Sequence, residues 1–300
     1  MSKTAVLAPI VSALVKTEDM LGPNRKWSAV NEFQSGFLTE VFSKRAELSK
    51  FTPNELRSWV SKNAAELNAI LKSEGFDIEL DPFDDDGFGT VSILDVVVEW
   101  LKQGMESKVR LGGNGQYYPA VRLESGNVGI ESVFNTYTNA THTNPIACVN
   151  TKTGDRVYMT VAGAAVVNDF ALMNRVDEMR KSMSFDYAEY KSLTFPMVDL
   201  NQQVDIGWLK EMRTVDSAGA PWKVAQAKQQ TKLKMNQFGA RVKSAVAIGM
   251  MRVSMPSEPK VIVIDRPFYL WIERPGVTTP ILYAYIDESD WKNPGDLAKI

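Results

Sequence analysis

One cysteine and one histidine in 300 residues remove most catalytic chemistry before any motif is sought. Cys148 has no partner for an internal disulfide, and a site built on several thiolates is ruled out. A Ser-His-Asp triad could form only around His142, and no nucleophile-elbow pattern accompanies it. Also missing is any uninterrupted apolar run near the roughly 18 residues that span a bilayer. Charge of one sign is scarce too. The 34 basic and 36 acidic residues nearly cancel and no basic stripe stands out, so neither nucleic acid nor a membrane is expected as a partner.

What is present is material for a core. The chain is 44% hydrophobic, and a chain of this length buries about 75% of the surface its unfolded form exposes. No repeat or low-complexity linker divides it, so one domain over 1–300 is expected. Met1-Ser2-Lys3 followed by Thr4 through Val15 has the short basic end and apolar centre of a secretory signal. The small-residue cleavage site that should follow is replaced by Lys16-Thr17-Glu18-Asp19, so a cytoplasmic or intracellular location is expected rather than secretion.

Apolar spacing of three and four along Val30, Phe33, Phe37, Leu38 and Val41 predicts a helix. Thr52-Pro53-Asn54-Glu55 reads as a capping box with proline at the first helical position. It predicts a second helix with Leu56, Val60, Leu67, Ile70 and Leu71 buried, ended by Gly75. Ser92 to Gly104 is expected as a third, with Leu94, Val97, Val98 and Leu101 inward, which makes the part from about 25 to 110 mostly helical. From about 115 to 290 the period shortens. Tyr118–Leu123 and Arg156–Val161 read as strands and Thr153-Gly154-Asp155 as a turn, with helical spacing returning at Phe170, Met173, Val176 and Met179. Without regular βαβ alternation, the class is α+β.

The local motifs are bland. Asp84-Asp85-Asp86-Gly87 fails the EF-hand frame, which would place the first ligand on Pro82 and the last on Ile93. Gly112-Gly113-Asn114-Gly115 lacks the spacing of a dinucleotide or P-loop motif and reads as a turn. Six residues of strand would hold His142 and Cys148 too far apart to act as base and nucleophile. Asn139-Ala140-Thr141 is a formal glycosylation acceptor that means little without secretion. No cofactor, no metal and no enzyme activity are expected.

The C-terminal third is more specific. Val261–Leu270 is a β-branched and aromatic run broken by Arg266-Pro267, which argues for a bend or edge there. With Ile281–Ile286 and the turn residues between, it predicts a hairpin. The order of pieces from Phe195 to Ile286 resembles the serpin family. Ile262 through Ile272 is similar to its distal-hinge signature. Phe195-Pro196-Met197, a helix-like Asp205–Met212, and Val224–Gln229 with Lys234–Gly239 resemble the elements that lead to its proximal hinge.

The resemblance implies helices around a large central mixed β-sheet plus smaller sheets, and an exposed reactive-centre loop. It places the first helix at Val30–Val41 and the helix across the central sheet at Ser92–Gly104. It implies a monomer that inhibits a serine or cysteine protease when the cleaved loop inserts as a strand, a release of stored strain. The proximal hinge would be Gln237, Gly239, Ala240, Val242 and Ser244, and the distal hinge Asp265, Arg266, Pro267 and Phe268. The reactive loop would centre on Met251, Arg252, Val253, Ser254 and Met255, with Arg252 suiting a trypsin-like enzyme.

An inserting strand must alternate. Ala240, Val242, Ser244, Val246, Ile248 and Met250 fall on one face, and Arg241 and Lys243 on the other. Two features depart from inhibitory serpins. Gln237 stands where the family usually has Glu, and Val242-Lys243-Ser244-Ala245 replaces a run of alanines. A non-inhibitory serpin-like binding or structural protein is therefore the alternative.

Overall fold

The computed structural model describes residues 1–125, 133–239 and 260–297. Its strands begin with β1 (Lys3–Ala5), β2 (Leu56–Ser61), β3 (Gly89–Leu94), β4 (Met105–Arg110), β5 (Tyr117–Glu124) and β6 (Phe134–Asn139). There follow β7 (Ile146–Asn150), β8 (Arg156–Val161), β9 (Met183–Phe185), β10 (Tyr190–Pro196), β11 (Val198–Val204) and β12 (Arg213–Val215). The last are β13 (Pro221–Lys223), β14 (Gln229–Met235), β15 (Lys260–Val263), β16 (Phe268–Glu273) and β17 (Leu282–Ile286). The α-helices are α1 (Ala8–Lys16), α2 (Glu18–Leu21), α3 (Glu32–Glu40), α4 (Ala64–Ser73) and α5 (Asp169–Ser182).

The chain forms two compact units. The first comprises Met1–Ala5, Val97–Leu200 and the described part of Lys232–Ile300. Its larger sheet has seven strands in the order β1-β17-β16-β8-β7-β6-β9. Phe268, Tyr269, Leu270 and Trp271 are buried on both faces of β16, which explains why this run is continuously apolar instead of alternating. Stacked rings of Tyr158 and Trp271, 5.0 Å apart, join β8 to β16. Helix α5 starts at an Asn168 cap whose side chain accepts from Ala171 N, and buries Leu172, Val176 and Met179. It lies against β1 and β17.

The smaller sheet of this unit runs β15-β10-β5-β4, with β15 parallel to β10. Pro267 sits where the chain leaves β15 and enters β16 in the other sheet, so the bend expected there is present. The hairpin expected downstream is β16–β17, in register from Phe268 opposite Ile286 to Ile272 opposite Leu282.

The second unit comprises Val6–Val96 and Asn201–Thr231. Its core is Leu67 and Leu71 of α4 against Val91 and Ile93 of β3. Helix α1 buries Ile10, Val11 and Leu14 and packs on the β2–β3 pair. A chain of hydroxyls from Ser12 through Ser58 to Ser92, at 2.7 and 3.0 Å, accompanies that packing. Strands β11 and β14 pair with each other, and the boundaries between the units fall within them.

Three helix expectations depart from the structure, the first only in its N-terminal half, since Leu67 and Leu71 are buried on α4 as expected. The Thr52–Glu55 capping box forms, with Thr52 N donating to Glu55 and Glu55 N to Thr52 Oγ1, but it caps only a turn. Leu56–Ser61 then becomes β2, and the helix starts at Ala64 behind an Asn63 cap. Gly89–Leu94 is β3, whose period-2 burial of Val91 and Ile93 overrides the helical spacing, leaving Val97 and Leu101 exposed. No helix therefore occupies Ser92–Gly104. Of Asp205–Met212, only Gly207–Leu209 is helical, as a single 3-10 turn. Helix α3 is present at Glu32–Glu40 but is preceded by α1 and α2, and Val30 and Phe33 are exposed where burial was expected.

Arg274 grips the 1%-exposed Asp155 through two bonds of 2.9 and 2.8 Å. Arg274→Ala would strand a buried carboxylate, and unfolding in urea should show a loss of about 3–5 kcal/mol.

Candidate functional site: the two anchors of the loop

Strand β14 ends in a tight turn over Asn236–Gly239. Asn236 and Gly239 form an antiparallel bridge, with Gly239 N donating to the Asn236 carbonyl at 3.2 Å. Inside the turn, Phe238 N donates to Asn236 Oδ1 at 2.9 Å. Gly239 has φ +80° and also bridges Glu99; a Cβ there would lie 2.4 Å from Trp100 N and 2.9 Å from the Val98 carbonyl. Only glycine fits.

The body of the unit holds the turn from below. Buried Trp100, set edge-on to Phe195, donates its indole N–H to the Asn236 carbonyl at 2.9 Å. Gly104 N donates to the Gln237 carbonyl at 2.8 Å, and Gln237 Nε2 donates to Glu106 Oε1 at 2.7 Å. Gln237 is buried, and among the described residues its Oε1 has no hydrogen-bond partner.

The far end of the loop is fixed by backbone bonds. Ile264 N donates to the Thr194 carbonyl at 2.8 Å, continuing the β10–β15 ladder. Gly112 N donates to the Asp265 carbonyl, and Ala162 N to the Pro267 carbonyl, each at 2.8 Å. Arg266 reaches back to Asp265 at 3.2 Å, and Phe268 is buried between Val161 and Ile286. The glycine turn at Gly112 thus has a use as a clamp on Asp265.

In the second unit, the approach to β14 is tied to 77–81 by side chains at alternate positions. Gln226 exchanges two bonds with the backbone of Asp81, Lys228 donates to the Glu79 carbonyl and Asp81, and Gln230 Oε1 accepts from Asp77 N.

The structure therefore places Gln237 and Gly239 together in one turn, and Asp265, Arg266, Pro267 and Phe268 together at one bend. Ala240, Val242, Ser244 and Met251, Arg252, Val253, Ser254, Met255 lie outside the described residues. Sequence reading missed Trp100 and Glu106, because it assigned Trp100 to a helix that does not form. Asn236 carried a signal that went unused, since Asn three residues before Gly is suited to a self-bonded turn.

His142 and Cys148 do not form a nucleophile and base. Cys148 is buried in β7, and burial pushes its thiol up to about 12. His142 Nε2 lies 2.8 Å from Thr160 Oγ1, whose single proton is given to the Pro145 carbonyl, so Nε2 must be the donor. The Asn139 amide is engaged with the Met179 carbonyl and Ser182, and its oxygen accepts from Thr141 and His142, so the formal acceptor triplet is a structural turn.

No protein-family model matches the sequence, and no curated protein does. Solved structures do match. Maspin aligns over 95% of this chain and 92% of its own at 12% identity with a TM-score of 0.61. Thyroxine-binding globulin in complex with thyroxine aligns over 95% and 92% at 10% identity, TM-score 0.54. Serpin48, described as a highly specific serpin of the insect Tenebrio molitor, aligns over 95% and 91% at 12% identity, TM-score 0.52. The chain has a serpin-like α+β fold.

Two outcomes check this site. Gly239→Ala should destabilise the first unit by more than about 1 kcal/mol in urea, because φ is positive and the Cβ meets backbone. His142 has its pKa lowered from 6.5 by burial and then by Arg175, so the neutral ring is favoured in the fold. Its contribution is present above pH 6.5 and is lost as pH falls below it. Melting temperature should fall between pH 7 and 5.5, and less so in His142→Gln.

Proposed function

We propose that this chain inhibits a serine or cysteine protease by strand insertion: cleavage between Met251 and Met255 lets the loop after Gly239 fold back beside β14. The observation that carries the reading is the register of the entry turn. Were the ladder of the Asn236–Gly239 bridge extended, Ala240 would lie opposite Met235, Val242 opposite Leu233 and Ser244 opposite Thr231. Met235 and Thr231 are buried, so in that register the small and apolar face of the loop would meet the inward face of β14. Thr231 Oγ1 is buried with no hydrogen-bond partner among the described residues, and Ser244 would supply one. In the described structure β14 pairs with β11 alone, which leaves it an edge for a further strand.

The same register favours a second reading. It would set Arg241 opposite Lys234 and Lys243 opposite Lys232, and like charges directly opposite oppose pairing. Together with the Gln237–Glu106 bond this argues for a loop that stays out, as in a binding or structural protein.

Incubation with a trypsin-like protease, read on denaturing gels and by thermal melting, separates the two. Trapping predicts a band at the summed mass of both proteins and a cleaved form that melts well above the intact one. Cleavage with unchanged melting and no such band would overturn the inhibitor reading.

A further inference from the structure

The segment after β17 touches both ends of the loop. Trp291 is 2% exposed and packs edge-on to Tyr118 of β5, centroids 5.2 Å apart, and against Phe268 of the distal anchor at 6.3 Å. Two residues on, Asn293 Oδ1 accepts from Gly295 N at 2.9 Å, and Pro294 between them is buried. This turn, with Gly295 at φ +66°, points the Gly295 carbonyl at Asn236, whose Nδ2 donates to it at 3.0 Å. Asn236 is itself 2% exposed and organises the entry turn through its own Oδ1 and backbone carbonyl.

We infer that Trp291–Gly295 is a latch that holds the loop's entry turn closed and couples it to the loop's exit at Phe268. The physical reason is that the Asn236 side chain has a fixed orientation only while both ends are satisfied. Its oxygen then receives Phe238 N and its nitrogen meets Gly295. Loss of the Gly295 contact leaves the side chain held at one end only, so the acceptor for Phe238 N is no longer locked in place and, with it, the placement of Gly239. In the inhibitor reading, on which the regulatory meaning of the latch rests, opening it releases the residues that must move first.

The test uses the intact chain without any protease, so its result is independent of whether the loop inserts. Two variants are compared with the parent by amide hydrogen exchange: Asn236→Asp, which keeps the acceptor for Phe238 N but faces Gly295 with a carboxylate, and a chain ending after Lys292, which keeps Trp291 and removes Gly295. Both should raise exchange at Phe238 and Gly239 about tenfold, the effect of losing one supporting hydrogen bond, while amides of β16 stay protected. Unchanged exchange at Phe238 and Gly239 in either variant would overturn the latch. Failure of protease trapping with faster exchange in both variants would leave the latch standing and remove only the inhibitor reading.

Discussion

The bridge between Asn236 and Gly239 is the constraint from which the rest of the site follows. It turns the chain out of β14 with a defined register, and it does so only because position 239 has no side chain to meet Trp100 and Val98. Trp100, Gly104 and Glu106 then fix the turn from one side, and the Asn236 side chain fixes it from within. A strand continued beside β14 from such a turn would keep the parity that the bridge sets. At the far end of the loop Gly112, Ala162 and Thr194 pin the backbone from Ile264 to Pro267.

Much of this was legible in the sequence, and unevenly so. β8 has the predicted bounds, and β5, α5 and the β16–β17 hairpin follow patterns that one period explains: Leu172, Val176 and Met179 for the helix, continuous apolar residues for β16. The hinge residues Gln237, Gly239 and Asp265–Phe268 were legible by resemblance. The second unit was read poorly. Gly89–Leu94 buries Val91 and Ile93 in alternation and Leu56–Ser61 carries Trp59 and Val60 side by side, yet both stretches overlap windows of helical spacing. Which period wins is decided by pairing of β2 with β3, distant in the chain and invisible to a local reading.

Buried polar groups divide into those that are closed and those that remain open. Buried Asp155 with Arg274 and buried His142 with Thr160 are satisfied on the larger sheet, as are the half-buried Arg180, Asp177 and Glu273 between that sheet and its helix, and they specify packing. Among the described residues, five buried side-chain atoms are unsatisfied: Trp27 Nε1, Arg57 Nε, Trp291 Nε1, Thr231 Oγ1 and Gln237 Oε1, and the last two lie on β14 and its turn. A buried hydroxyl without a partner costs about 1–3 kcal/mol, so a strand that supplies one has a specific place to gain energy. Facing lysines along the same strand work against that gain. The balance between these terms sets whether the loop inserts.

The most direct test of the account is a cross-link in the predicted register. Lys232→Cys and Lys243→Cys are combined in a Cys148→Ala background, which removes one like-charge pair and leaves no other thiol. Directly opposite positions on paired strands have Cβ atoms about 4.5–5.5 Å apart, near enough for a disulfide after small adjustment. The account predicts that the two cysteines join under mild oxidation after cleavage between Met251 and Met255, and that the joined form melts higher. A cleaved chain in which they stay free would contradict insertion beside β14.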